Sequence, residues 1–322
     1  MKALYRSACG AARAVLLCLV SSATPACPAV AGEQEAKPPS TGTLLRAARL
    51  LDVKTGKILA DHGVWVEGER IKDVGPMAEL RQHAPRDVRD VDLGDATILP
   101  GLIDCHTHLL TNFSKQMGDD ANMLVTVAQL GTTRRVLLGV AMAREDLEAG
   151  FTTVRDLGNS CVNGDVALRE AIRAGWVVGP RIVASTRALS PPGGQFGDLT
   201  REAQKLIEQE YVAISGVEEA RRAVRQAFYD GADCIKVIVD SGPRTLSLQE
   251  LKVIAEEAHR AQKKVAAHVA SDQAARVAAE AGVDSIEHAY TIPDDVLEVM
   301  AEKHIFLVPT DFPTVECYTT PP

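Results

Sequence analysis

The 322-residue chain predicts an α/β protein: a (β/α)8, TIM-like barrel with about seven strands in evidence, preceded by a small β segment. Three observations carry that prediction. From residue 97 onward, short runs rich in β-branched residues alternate with helical segments, the pattern of parallel strands joined by crossover helices. A hydrophobic content of 46% is enough to bury a barrel-sized core. The residues best suited to chemistry all fall late in their strands, on the face where such barrels carry their sites.

Taken in order, residues 1–31 read as a secretory signal. Lys2, Arg6 and Arg13 make a basic start, Ala14 to Val20 a short apolar run, and Ala29-Val-Ala31 a small-residue cleavage site. The apolar run is far shorter than the roughly 20 residues of a membrane-spanning helix, so no membrane span is expected. The expected location is periplasmic or secreted. Residues 32–42 are polar and read as a disordered leader. Residues 43–96 form the small β segment: Leu44 to Val53, a turn at Lys54 to Lys57, then Val64 to Val74 read as strands joined by turns.

Residues 97–322 form the barrel domain. Its first strand, Thr97 to Leu110, ends in Asp104-Cys-His-Thr-His108, where alternation puts Asp104, His106 and His108 on one face. Two imidazoles on one face of a strand can share a cation; a surface or satisfied core position is the plainer alternative. A long helix is expected from Asn122 to Ala149, then strand two at Phe151 to Asp156 and strand three at Arg181 to Ser185. Strand four carries Lys236 inside Cys234-Ile-Lys-Val-Ile-Val-Asp240, strand five carries His268 and strand six His288. Helices fall at 165–174, 217–229, 247–262, 272–281 and 294–303, and Ile305 to Pro309 is a seventh strand. The other described candidates, His62, His83, His259 and His304, sit in turns or on helices and read as surface residues.

Composition narrows the partners. A net charge of -8 with no basic patch argues against nucleic acid or an anionic membrane. Cys105, Cys161, Cys234 and Cys317 remain after signal cleavage; they show no Cys-x-x-Cys spacing, and Cys105 and Cys234 read as small buried strand residues.

The motifs Leu99-Pro-Gly-Leu-Ile-Asp-Cys-His-Thr-His108, Gly231-Ala-Asp-Cys-Ile-Lys236 and Ser285-Ile-Glu-His288, in this order, resemble the amidohydrolase superfamily. The likeness is to the branch of imidazolonepropionase-like enzymes and metal-dependent Xaa-Pro dipeptidases. It implies hydrolysis of an amide C–N bond in a small N-acyl amino acid or dipeptide-like substrate, or in a cyclic amide. It implies Zn²⁺, two ions, with another divalent metal an alternative: His106 and His108 on one, His268 and His288 on the other. It also implies that Lys236 is carboxylated and bridges them; pairing of its ammonium with Asp240 or Asp156 is the alternative. In such enzymes the N-terminal segment joins returning C-terminal strands in a β-sandwich, and a strand-eight Asp moves the proton from water to leaving amine. No residue here matches that Asp, and Asp311 is the nearest substitute by sequence. The expectation is therefore a truncated chain of little or no activity.

The long segment after strand three, 186–215, is expected to overhang the site, with Gly194 and Gln195 as substrate-binding candidates. Some dipeptidase-like members carry His where Gln195 stands, which broadens the expected substrate class. Asp104 is expected to make a supporting hydrogen bond, and Glu287 to face away from the ligands on an ideal strand. A homo-oligomer stays open.

Overall fold

The computed structural model of the chain describes residues 42–111, 119–196 and 199–310. The expected signal, all but the last residue of the leader, and Asp311 lie outside these residues. The chain divides into two compact units between Leu99 and Pro100.

In the smaller unit the strands are β1 (Thr43–Arg46), β2 (Arg49–Asp52), β3 (Lys57–Ala60), β4 (His62–Glu67) and β5 (Arg70–Pro76), followed by helix α1 (Met77–His83), β6 (Arg89–Asp92) and β7 (Thr97–Ile98). They form two sheets, β5-β4-β1-β6 and β3-β2-β7. Leu44, Trp65 and Leu80 pack together as the small core under α1. The single strand expected over Leu44 to Val53 is split in two at Ala47–Ala48.

The larger unit opens with β8 (Leu102–Thr107), α2 (Asp119–Gln129), α3 (Thr132–Glu148), β9 (Phe151–Asp156), α4 (Gly164–Arg173), β10 (Arg181–Ala184) and β11 (Ala188–Ser190). A short 3-10 turn (Arg201–Ala203), α5 (Gln204–Glu210), β12 (Tyr211–Ala213), α6 (Val217–Tyr229) and β13 (Ile235–Ile238) follow. Next come the hairpin β14 (Asp240–Ser241) and β15 (Arg244–Thr245), then α7 (Leu248–Arg260), β16 (Val265–Val269), α8 (Asp272–Ala281), β17 (Ser285–His288), α9 (Asp294–Lys303) and β18 (Phe306–Val308). The one long helix expected before strand two is two helices, broken at Leu130–Gly131.

Seven parallel strands run side by side in chain order: β8, β9, the pair β10 and β11, β13, β16, β17 and β18. Strand three is interrupted at residues 185–187, where Thr186 takes a left-handed φ of 61°. Ala184 bridges the interruption, its carbonyl accepting from the backbone N–H of Asp233 at 2.7 Å and of Cys234 at 3.3 Å. Among the described residues, the outer edges of β8 and β18 carry no further strand of the row. Leu102, Ile103, Phe306 and Leu307 on those two strands are exposed.

Alternation decides what the strands offer to each side. Ile235, Val237, Val265, Ala267 and Ile286 pack outward against Val224, Leu251, Ile254, Ala275 and Ala278 of α6, α7 and α8. Each such aliphatic side chain contributes about 1.5–3 kcal/mol when fully buried, so the register of these strands is strongly held. Their other faces carry Lys236, Ala266, His268 and Glu287. The helices are ended by local chemistry as well: Ser247 and Glu250 form a capping box on α7, Ser271 caps α8, and Gly282 closes α8 in the left-handed region.

Candidate active site

His106 and His108 at the end of β8, Lys236 within β13, His268 near the end of β16 and His288 at the end of β17 line one cavity of about 1030 Å³. These are five residues from four strands spread over 183 positions of sequence. The rings form a row, with centroid separations of 5.2 Å for His106–His108, 4.8 Å for His106–His288 and 4.5 Å for His268–His288. His288 reaches this row because its φ of 68° turns the backbone at the end of β17.

Three of the four rings are oriented through Nδ1. That atom of His106 lies 2.8 Å from Glu287 Oε2, that of His108 3.0 Å from the Gly158 carbonyl, and that of His288 2.7 Å from Thr310 Oγ1. A carboxylate and a carbonyl can only accept, so Nδ1 of His106 and His108 carries the hydrogen and Nε2 is the nitrogen that bears the lone pair. His268 is contacted by the Gln195 amide, whose nitrogen lies 3.2 Å and 3.1 Å from the two ring nitrogens. Gln195 is steadied in turn by the Tyr211 hydroxyl at 3.4 Å.

Burial keeps these bases neutral. Desolvation, with the nearby Lys236 charge second, brings His108 down to about 4 and His288 to about 3. His106 and His268 are pushed lower by the same two causes in the same order. Lys236 is buried and its ammonium is disfavoured by desolvation, to about 8, with Glu287 opposing. Its Nζ lies 3.5 Å from His106 Nε2. The two carboxylates considered as partners for Lys236 are engaged elsewhere: Asp240 accepts from the Ala270 N–H, and Asp156 from the Leu109 N–H and the Ser160 hydroxyl.

Glu287 is the residue that strand alternation misplaced. It is fully buried and accepts from the Arg155 guanidinium at 2.9 Å and the Ser285 hydroxyl at 2.5 Å as well as from His106. Arg155 also donates to the Cys105 carbonyl at 2.7 Å, so one network ties β8, β9 and β17 together beneath the imidazoles. The turn at His288 is what lets consecutive residues 287 and 288 both serve the site. Asp104 makes the supporting bond expected of it, accepting the His106 backbone N–H at 2.8 Å. Cys105 is exposed where a buried residue was expected, because β8 lies at the edge of the row; Cys234 is buried as read.

The segment 186–215 is more structured than a loop, containing β11, α5 and β12. Gln195 lines the cavity; Gly194 does not, and its part is steric. At its φ of 61°, an added Cβ would stand 2.3 Å from the Tyr211 ring. Arg244 holds the same stretch by donating to the carbonyls of Pro192 and Phe196, each at 3.1 Å.

The donor chemistry suits a divalent metal in part. Four neutral imidazoles with oriented rings are ligands of the borderline type that zinc accepts. Among the described residues, however, no group of three His, Cys, Asp or Glu is gathered as a closed metal site. The imidazoles form one row with Lys236 beside His106, so a metal held among them would need further ligands to complete its coordination shell.

Residues 97–318 match the family model of the Amidohydrolase family, and the chain belongs to that family. It is 31% identical over 291 residues to the ochratoxinase of Aspergillus niger, covering 82% of this chain and 58% of that enzyme. It is 24% identical over 263 residues to the imidazolonepropionase of Maricaulis maris, covering 76% and 64%. Among solved structures, a prolidase complexed with N-methylphosphonate-L-proline superposes with a TM-score of 0.71 at 30% identity, covering 84% of this chain and 66% of that one. The chain thus spans somewhat less than two thirds of these relatives. These neighbours imply a TIM-like barrel, of which the seven-strand row is the described part.

Proposed function

We propose that the chain is a metal-dependent amidohydrolase that cleaves an amide C–N bond in a small N-acyl amino acid or dipeptide-like substrate. One observation carries this reading: four imidazoles driven to neutrality and a buried lysine, borne by parallel strands, converge in a single cavity. The prolidase likeness and the ochratoxinase identity support an amide as the bond broken.

His106 and His108 would hold one metal, His268 and His288 a second, with Lys236, as its carbamate, shared between them. Such ions, zinc being the best suited, supply a Lewis acid for the carbonyl oxygen and a water whose pKa falls to about 7. The residues of this chain do the rest. Glu287 and the Gly158 carbonyl fix which nitrogen His106 and His108 present. The lowered pKa of each imidazole means that no proton competes for that nitrogen near pH 7. Burial lowers the Lys236 pKa, which raises the fraction of neutral amine available to take up CO₂. The basic start and short apolar run within residues 1–31 support a periplasmic or secreted location.

The test is hydrolysis of N-acyl amino acids, dipeptides and cyclic amides by zinc-loaded protein, followed by amine release before and after chelation. Release that stops on chelation supports the reading, and the preferred panel separates linear from cyclic amides. Folded, metal-loaded protein that cleaves none of them contradicts it. A second reading is favoured by β8 and β18, whose outer edges carry no further strand of the row among the described residues. On that reading the chain binds metal but turns over slowly.

A further inference from the structure

The turn that follows β9 does two things at adjacent residues. The Gly158 carbonyl holds the His108 ring at 3.0 Å, and Asn159, next in sequence, lines the same cavity. Asn159 is only 8% exposed and its backbone sits at a left-handed φ of 55°. Its carbonyl accepts from Thr111 Oγ1 at 3.3 Å and from the Arg135 guanidinium. Its side-chain carboxamide, by contrast, makes no hydrogen bond among the described residues, yet it is not among the polar atoms sealed from solvent. A carboxamide that engages no protein group and belongs to a residue lining the cavity is available to hydrogen-bond a molecule that enters it.

The backbone that presents this amide is held by a buried ion pair. Arg135 on α3 and Glu210 on α5 are both fully buried, and Arg135 Nη1 donates to Glu210 Oε1 at 2.5 Å. The Arg135 Nε also donates to the Leu110 carbonyl at 3.1 Å, which ties the end of the β8 segment to the same guanidinium. One cation therefore fixes both Leu110, two residues past His108, and the residue that carries this carboxamide. Fixed spacing between a reacting centre and a recognition group is what substrate orientation requires.

We propose that Asn159 is a specificity-determining residue whose carboxamide donates a hydrogen bond to a substrate oxygen beside the scissile amide. The class of substrate is an amide bearing such an acceptor, as the carboxylate of an N-acyl amino acid does. This rests on the amidohydrolase reading above and deepens it. Met123 and Thr111 line the cavity nearby, so the acceptor sits in a pocket wall that is part apolar and part hydroxyl.

The experiment compares wild type, Asn159→Ala and Asn159→Asp, all zinc-loaded, with N-acetyl-L-phenylalanine and with N-acetylphenethylamine, which lacks the carboxylate. Binding is read by calorimetry and turnover by amine release, with metal content and melting temperature as controls. The proposal expects the Kd or KM for N-acetyl-L-phenylalanine to rise about ten-fold in Asn159→Ala and further in Asn159→Asp. Values for N-acetylphenethylamine, kcat, metal content and melting temperature stay close to wild type. An unchanged preference between the two probes in Asn159→Ala overturns it, as does a wild type that binds neither. So does a loss that tracks metal content or melting temperature. Asn159-dependent binding without turnover would instead count against the proposed activity alone.

Discussion

Glu287 on β17 and His106 on β8 stand 181 residues apart in sequence, and the carboxylate of one lies 2.8 Å from Nδ1 of the other. The contact settles the tautomer of His106 and so which nitrogen faces Lys236. Carboxylate partners of this kind raise ligand basicity and fix ring orientation. On the proposed metal-dependent reading, Glu287 is therefore a positioning residue that acts through His106.

Replacing Glu287 with Gln keeps the shape and removes the charge. Metal affinity is expected to fall roughly 10- to 100-fold, as for other outer partners of histidine ligands. Competition with a chromophoric chelator measures it directly, and an affinity equal to wild type would show that Glu287 does not act through His106.

Arg135→Met leaves Glu210 charged, buried and unpaired. Breaking one side of such a pair costs about 3–5 kcal/mol, whereas replacing both sides with apolar groups is often near neutral. Urea unfolding should show that loss in the single variant and recovery of most of it in Arg135→Met with Glu210→Leu. A single variant as stable as wild type would mean the pair contributes little to holding α3 and α5.

The imidazoles predict an acid limb for the metal-free protein. His108 titrates near 6.5 when unfolded and about 4 when folded, so between those values the unfolded chain binds more protons. Its contribution to stability is therefore present above pH 6.5 and lost as pH falls toward about 4. The buried Asp165, raised to about 6 chiefly by desolvation, works in the opposite direction over part of that range. His108→Asn removes the first effect and keeps the second. Its melting temperature should fall less steeply from pH 6.5 to 4 than that of chelated wild type; parallel slopes would contradict the assignment.

Much of this arrangement was legible in the sequence, and the exceptions share a cause. Helices 217–229, 272–281 and 294–303 have the expected bounds, because a strong amphipathic period agrees there with first-turn acids such as Glu218 and Asp272. The five ligand candidates could be read because each sits within or at the end of an apolar strand. Glu287 could not, since ideal alternation sends it away from His288 and only the backbone turn at His288 reverses that. Arg135 and Glu210 are charges in helical segments, and nothing local says that they meet across 75 residues. Asn159 lies in a Leu157-Gly-Asn-Ser160 turn, where an Asn is ordinary. The break in strand three at Thr186 likewise depends on contacts to Asp165 and Asp233 that are remote in sequence.

The central claim is that His106, His108, Lys236, His268 and His288 form one metal centre. It is tested most directly by elemental analysis of purified, monodisperse protein after equilibration with zinc and gel filtration. The account predicts about two zinc ions per chain in the wild type, with a loss of at least one in His106→Asn and in His268→Asn while the helical signal persists. A folded wild type that retains no zinc, or variants that retain as much as wild type, would contradict it.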